Sequence, residues 1–448
     1  MSNLRRNFSA GTYSVAVYFV GQMALTPLLL WFWGKETYAH WLVLFTIPAY
    51  FGFSDGGIAN SLGNALAIAA EQQRWDEAGR MLRSVWRWQF LLWGGVFAVF
   101  VLGLVFLPLR SWLALLTVSP ATFTVTALLL AIYSLWSLQN GYYMAVFRAG
   151  GEFARFVRVN GHVRIAEVIV LGGSVAAGGG LVVAALSLVV VRLVFTVWCH
   201  GQQSRLLPRI EFRHGAASWR EFAALLPAGL GFLGFPVGNA LINQGTTILV
   251  SHLGGPVAVV ALNVGRQVAR IFLQGVSILF QSIHPEISVA FAGHDFPRMA
   301  RLQAKALTPV LWGAPVFCLG LAIAGPWAID LWTHHQVLFT RGSLAAFGLE
   351  ACIAGLGNAS MLLGWATSRH LGLCVSYLVT QSAALGAAWL LYPGFALFGV
   401  PLAFAGATLL HAAYALWAGA RVAQTSTWTV LREGCLGLPY RAALSGAF

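Results

Sequence analysis

Apolar runs of about 17 to 30 residues, cut by short charged or turn-rich breaks, recur along the whole chain, each long enough to cross a bilayer as a helix. They fall at residues 10–33, 40–68, 86–107, 121–147, 162–178, 181–200, 223–249, 257–284, 303–325, 343–366, 371–391 and 395–418. Twelve transmembrane helices are expected. The first run is longer than a signal-peptide core and has no small-residue cleavage site, so it is expected to remain as a span.

Charge placement orients these spans. Of the 27 Lys and Arg, three (Lys35, Arg110, Arg341) fall on one side and three (Arg192, Arg266, Arg270) fall within spans. The other 21 lie in the breaks on the opposite side or at the span ends that adjoin them, which predicts both termini in the cytoplasm. Composition agrees, since 58% hydrophobic and 9% charged residues over 448 positions lie outside the range of soluble globular chains. The net charge of +13 would suggest nucleic acid in a soluble protein. Here its position explains it as membrane orientation, and no nucleic-acid partner is expected.

A partial repeat organises the chain. WDEAGRMLRSVWRWQFLLWGG (75–95) reads onto DFPRMARLQAKALTPVLWGAP (295–315), with Leu92, Trp93 and Gly94 matching Leu311, Trp312 and Gly313. Both are basic amphipathic stretches that run into an apolar helix. The expected fold is therefore all-α and polytopic, with two six-helix lobes related by a pseudo-twofold axis along the membrane normal. The lobes take residues 1–203 and 223–420, joined by a basic cytoplasmic linker (204–222) and followed by a cytoplasmic tail (421–448).

Candidate chemistry lies in the polar residues inside the spans. A charge at the bilayer centre costs roughly 2.5 to 3.5 kcal/mol, so Arg266 and Arg270, one turn apart, need a compensating partner. With Asn263, Gln274, Ser277 and Gln281 they form one polar stripe on helix 8. Arg192 lies in helix 6, and helix 7 adds Asn239 and Asn243 with Thr246 and Thr247. Acidic residues are fewer: Asp55 in helix 2, Glu350 in helix 10, Glu286 at the inner end of helix 8, and Glu167 beside Arg164 at the inner end of helix 5 as a local interfacial pair. Two readings follow. Either Asp55, Glu350 and Glu286 neutralise the three arginines across helix packing, or surplus positive charge in a wet cavity awaits an anion, for which a guanidinium fork suits phosphate oxygens.

Pro27, Pro48, Pro227, Pro236, Pro309 and Pro315, with SDGG (54–57) and GFLGFPVG (231–238), predict bent or broken helices. Five cysteines lack CxxC spacing and histidine clusters, and His334-His335 fall in an outer loop, so no metal site, disulfide or cofactor is expected. The outer connections are short, the longest near 108–120 and 326–342. A membrane glycosyltransferase or ligase would need a larger outer loop carrying catalytic residues, so the chain is not expected to be an enzyme.

The stretch YAHWLVLFTIPAYFGFSDGGIANSLGNALA (38–67), followed by a basic loop within a twelve-span, two-lobe plan, resembles polysaccharide-transport flippases of the multidrug/oligosaccharidyl-lipid/polysaccharide exporter superfamily. O-antigen flippases share the aromatic entry to helix 2, the Asp-x-Gly step (Asp55-Gly56-Gly57) and a following Asn (Asn60 or Asn64). The resemblance implies alternating-access transport of an undecaprenyl-pyrophosphate-linked oligosaccharide across a bacterial inner membrane, among its lipids, with polysaccharide polymerase machinery as a further partner. The resemblance places substrate contacts at Arg266 and Arg270; Arg192, Asn243, Asn263 and Gln274 are read as joining them, and Asp55 and Glu350 as coupling or charge-balancing residues. Related lipid II flippases carry arginines in helices 1 and 2, where this chain has only Asp55 and the terminal Arg5 and Arg6, which argues against lipid II. A rival from the same superfamily is a cation-coupled multidrug exporter, which needs carboxylates in its amino-terminal lobe.

Overall fold

The computed structural model describes residues 2–55, 57–210, 212, 215–230, 234–367 and 371–436. Among these residues every regular element is helical: α1 (Ser2–Leu44), α2 (Ile47–Phe51), α3 (Ile58–Glu71), α4 (Trp75–Phe106), α5 (Leu109–Trp112), α6 (Pro120–Ala149), α7 (Phe153–Ala176) and α8 (Leu181–Leu206), then α9 (Trp219–Leu230), α10 (Gly234–Ala240), α11 (Thr246–Ala292), α12 (Phe296–Trp332), α13 (Arg341–Ala366), α14 (Leu371–Phe395), α15 (Gly399–Val422) and α16 (Thr427–Leu436). Eight helical stretches are long and apolar enough to cross a membrane. The chain is thus an all-helical, multi-pass membrane protein.

Glycine makes the sharpest reversals. Gly34 interrupts α1 and Gly255 interrupts α11, each at φ 69° with extended ψ, a left-handed conformation that other residues adopt only with strain. Other helices start on side-chain caps: Ser119 accepts from the Thr122 amide, Asp295 from Arg298 and Thr340 from Ser343. The expected helix at 40–68 is broken. Pro48 opens α2, Gly52–Asp55 forms a 3-10 turn, and α3 restarts after Gly57 at φ 72°. The expected helix at 223–249 is broken into α9, α10 and a π-helical turn, Leu241–Gly245. Gly56 of the SDGG step and residues 231–233 lie outside the described residues, as do the side chains of Pro227, Asn60 and Gln281.

The chain divides into two compact units, residues 1–233 with 255–257, and 234–254 with 258–448. In the first, Ile58, Leu62, Leu82, Phe147 and Phe195 sit in one apolar core. Helices α3 and α6 approach so closely there that a Cβ on Gly141 would lie 2.3 Å from that of Ala59. Residues 223–230, the start of the expected helix 7, group with this unit. Glu221 on α9 accepts from Arg80 (3.0 Å) and Ser84 (2.9 Å) of α4, and Trp219 packs edge-on against Trp88.

In the second unit, α13 packs between α12 and α15, over cores that include Leu307, Val310 and Leu363. The segment read as a tail carries α16, which docks on α12. The Thr308 hydroxyl and the Trp312 indole donate to the carbonyls of Gly434 and Cys435, and Val430 is buried. The two repeat-matched stretches begin α4 and α12, and each of these helices carries such a docked amphipathic segment.

Candidate functional site

A cavity of about 130 Å³ opens within the second unit. Its lining includes Asn239, Ile242 and Asn243 from the broken helix, Arg266, Ala269, Arg270 and Leu273 from α11, and Glu350, Asn358 and Met361 from α13. Tyr377 on α14 and Thr408 and His411 on α15 complete it. Helical spacing explains the first two sets. Residues 266, 269, 270 and 273 share one face of α11, and 350, 354, 357, 358 and 361 share one face of α13.

The π-helical turn organises the charge. A π turn shifts the regular backbone ladder and leaves carbonyl oxygens in need of donors, which inside a membrane must come from the protein. Arg266 supplies them. Its Nη2 donates to the Ile242 carbonyl at 2.5 Å and to the Thr246 hydroxyl, and its Nη1 donates to the Asn243 carbonyl at 3.1 Å. The Thr246 hydroxyl in turn donates to the Ile242 carbonyl. Arg270, one turn on, donates to the side-chain oxygen of Asn243, whose amide donates to the Asn239 carbonyl at 2.8 Å. Tyr377 donates to the Asn239 side-chain oxygen at 3.2 Å and packs edge-on against His411, which is fully buried beside Ser376 and Met361.

No ion pair engages Arg266 or Arg270 among the described residues. Glu350 lines the same cavity and interacts electrostatically with both guanidinium groups, Arg266 first. Two arginines against one carboxylate leave a surplus positive charge. Arg266 is committed to the backbone, whereas Arg270 has Asn243 as its sole partner among the described residues. Its remaining donors can therefore receive an anionic oxygen in fork geometry.

The structure brings Asn243, Arg266, Arg270 and Glu350 together at one cavity, and the other candidates are not in its lining. Asn263 and Gln274 lie outside the lining because the α11 stripe drifts around the helix. Glu286 pairs with Arg298, at 3.7 Å. Asp55 ends the 3-10 turn in the first unit, and its side chain lies outside the described residues. Arg192 also belongs to the first unit. It is wholly buried on α8 and ion-paired with Glu167 on α7, so it already has a carboxylate partner within that unit. Glu167 reaches it across the α7–α8 packing, a contact that sequence spacing does not show. Sequence reasoning passed over Asn358, Tyr377, Thr408 and His411, single polar residues in apolar helices. Only Asn358, eight positions after Glu350, offered a spacing signal.

At the level of sequence, no family model matches the chain and no curated protein matches it. Solved structures do match over nearly the full length. An inward-facing multidrug resistance MATE family transporter of the MOP superfamily superposes with TM-score 0.72 at 12% identity, covering 92% of this chain and 95% of that one. The MATE transporter DinF-BH in complex with R6G gives 0.69 at 12%, covering 95% and 97%. The lipid II flippase MurJ in an inward closed conformation gives 0.67 at 13%, covering 98% and 93%. At such identities the likeness is one of architecture, and this chain has the fold shared by MATE transporters and MurJ.

Proposed function

We propose that this chain is a flippase that carries an undecaprenyl-pyrophosphate-linked oligosaccharide, an O-antigen or exopolysaccharide repeat unit, from the inner to the outer leaflet of a bacterial inner membrane by alternating access. One observation carries the reading: the second-unit cavity holds Arg266 and Arg270 against the single carboxylate of Glu350, with Arg270 only partly engaged. A pyrophosphate matches that charge and the fork of donors. Asn243 holds Arg270 in place, and Glu350 and Asp55 are the residues proposed to balance charge or couple transport to an ion. An inside-negative potential favours outward movement of negative charge by about 2.3 kcal/mol per charge per 100 mV.

In this reading the protein has twelve spans in two six-helix lobes. Splitting the three longest candidate stretches (Ser9–Phe51, Gly234–Ser277 and Leu371–Val422) at their breaks, and adding α7, brings the eight stretches to that number. Helix α7 is less apolar than the others because it carries Arg155, Arg158, Arg164 and Glu167. The sidedness of the basic breaks supports cytoplasmic termini, with residues 204–222 as the connecting linker.

A cation-coupled multidrug exporter is the second reading, favoured by the likeness to MATE transporters. Reconstitution separates the two. Vesicles containing the protein should expose a labelled prenyl-pyrophosphate oligosaccharide to an outside glycan-cleaving enzyme, and vesicles with Arg266→Gln/Arg270→Gln should not. Equal exposure in both, or cation-driven uptake of a cationic dye without glycan movement, would transfer the assignment to the exporter.

A further inference from the structure

The first unit holds a second pair of arginines around one carboxylate. Glu167 Oε2 accepts from Arg164 at 3.0 Å and its Oε1 accepts from Arg192. The Tyr133 hydroxyl donates to Glu167 at 3.2 Å and accepts from Arg164 at 3.4 Å. One carboxylate cannot neutralise two guanidinium groups, so the cluster carries a surplus positive charge. The Arg192 side chain is 0% exposed and that of Glu167 6%, whereas that of Arg164 is 39% exposed, so solvent or ligand reaches the surplus at Arg164. Behind it, Nε and Nη1 of Arg192 are buried without a hydrogen-bond partner, compensated only by the Tyr133 and Phe195 rings at 5.6 and 5.9 Å.

Helix α7 begins at Phe153, so Arg164 lies three turns along it, roughly 16 Å from its start. Tyr18 lies on α1, which packs along α7 on both sides of Arg164: the Tyr13 hydroxyl bonds His162 at 2.8 Å and a Cβ on Gly21 would lie 3.0 Å from Val168. The Tyr18 hydroxyl accepts from Gln22 at 3.0 Å, and its own O–H has no acceptor among the described residues.

We propose that Arg164, with the Tyr18 hydroxyl, forms a second anion site, in the first unit, for a carboxylate or phosphate oxygen of a bound ligand. A guanidinium beside a phenol donor suits the carboxylate of an acidic sugar and equally a phosphate. The site does not depend on the pyrophosphate reading of the second unit.

The test uses full-length protein in lipid nanodiscs carrying Arg266→Gln/Arg270→Gln, so that binding reports on the first unit alone. It is titrated separately with inorganic pyrophosphate and with a glucuronate-containing disaccharide. Adding Arg164→Gln leaves Arg192 and Glu167 one-to-one and should weaken binding of one probe about tenfold, with recovery in Arg164→Lys. The probe affected identifies the group as phosphate or carboxylate. Tyr18→Phe, which removes a single O–H, should weaken the same probe about threefold and keeps the test intact if Arg164→Gln does not fold. No binding of either probe, or affinities unchanged within about twofold in Arg164→Gln, overturns the proposal. Failure of the transport reading would register elsewhere, as pyrophosphate binding insensitive to Arg266→Gln/Arg270→Gln in otherwise unmodified protein.

Discussion

Each unit sets two arginines near one glutamate, yet the two clusters use the same charges differently. In the first, Glu167 sits between Arg164 and Arg192 as a direct ion pair to both, and the triad is part of the packing between α7 and α8. In the second, a π-helical turn presents bare carbonyls and Arg266 binds these instead of a carboxylate, so Glu350 stays on the cavity wall with no ion pair among the described residues. Backbone distortion, rather than charge count, decides whether the glutamate is consumed by an ion pair. A regular helix at 241–245 would leave no carbonyls for Arg266, and a pairing with Glu350 would then resemble that of Arg192 with Glu167.

The contrast can be broken from the first unit with the largest effect. Glu167→Gln strands a fully buried Arg192 and should cost about 3–5 kcal/mol. The expected outcome is a large fall in thermal stability in detergent, and a melting temperature near wild type would contradict the structural role given to the triad. In the second unit the matching change is milder. Arg266→Gln leaves the carbonyls of Ile242 and Asn243 underdonated, an expected loss of about 1–3 kcal/mol read by the same thermal assay.

Arg270→Lys sharpens the comparison further. It keeps the charge but loses the fork, so pyrophosphate affinity should fall about tenfold while stability holds. Unchanged affinity would show that charge alone suffices. Smallest is Tyr377→Phe, which removes the neutral bond to Asn239 and should cost about 0.5–1.5 kcal/mol of stability. It should reach anion binding only through the Asn239 to Asn243 chain.

Much of this contrast could be read before any coordinates, and the part that could not has a definite cause. Apolar runs locate the helices because a bilayer requires about twenty apolar residues per crossing, which is why α6, α8, α13 and α15 lie within a few residues of expectation. The starts of α4 and α7 were missed by about ten residues because those helices extend into charged sequence that hydropathy reads as loop. Arg164 and Glu167 pair locally as their spacing predicts, whereas the contact of Glu167 with Arg192 forms only when α7 and α8 pack. The one-turn spacing of Arg266 and Arg270, and of Asn239 and Asn243, is a local pattern, and the cavity uses three of those four to arrange its charge. The π turn is not local in the same sense. Nothing in LINQG distinguishes it from ordinary helix until Arg266, more than twenty residues later, arrives to satisfy it. Asn358, Tyr377 and His411 were invisible for a similar reason, since they meet only when α13, α14 and α15 pack.

The most direct test of the central claim, that the second-unit arginines are held open for an anion, is the affinity of nanodisc-embedded protein for a short-chain prenyl pyrophosphate. The account predicts that Arg266→Gln/Arg270→Gln weakens it about a hundredfold, with wild-type binding falling as salt rises. Affinity in the double variant within about twofold of wild type, or independent of salt, would contradict it.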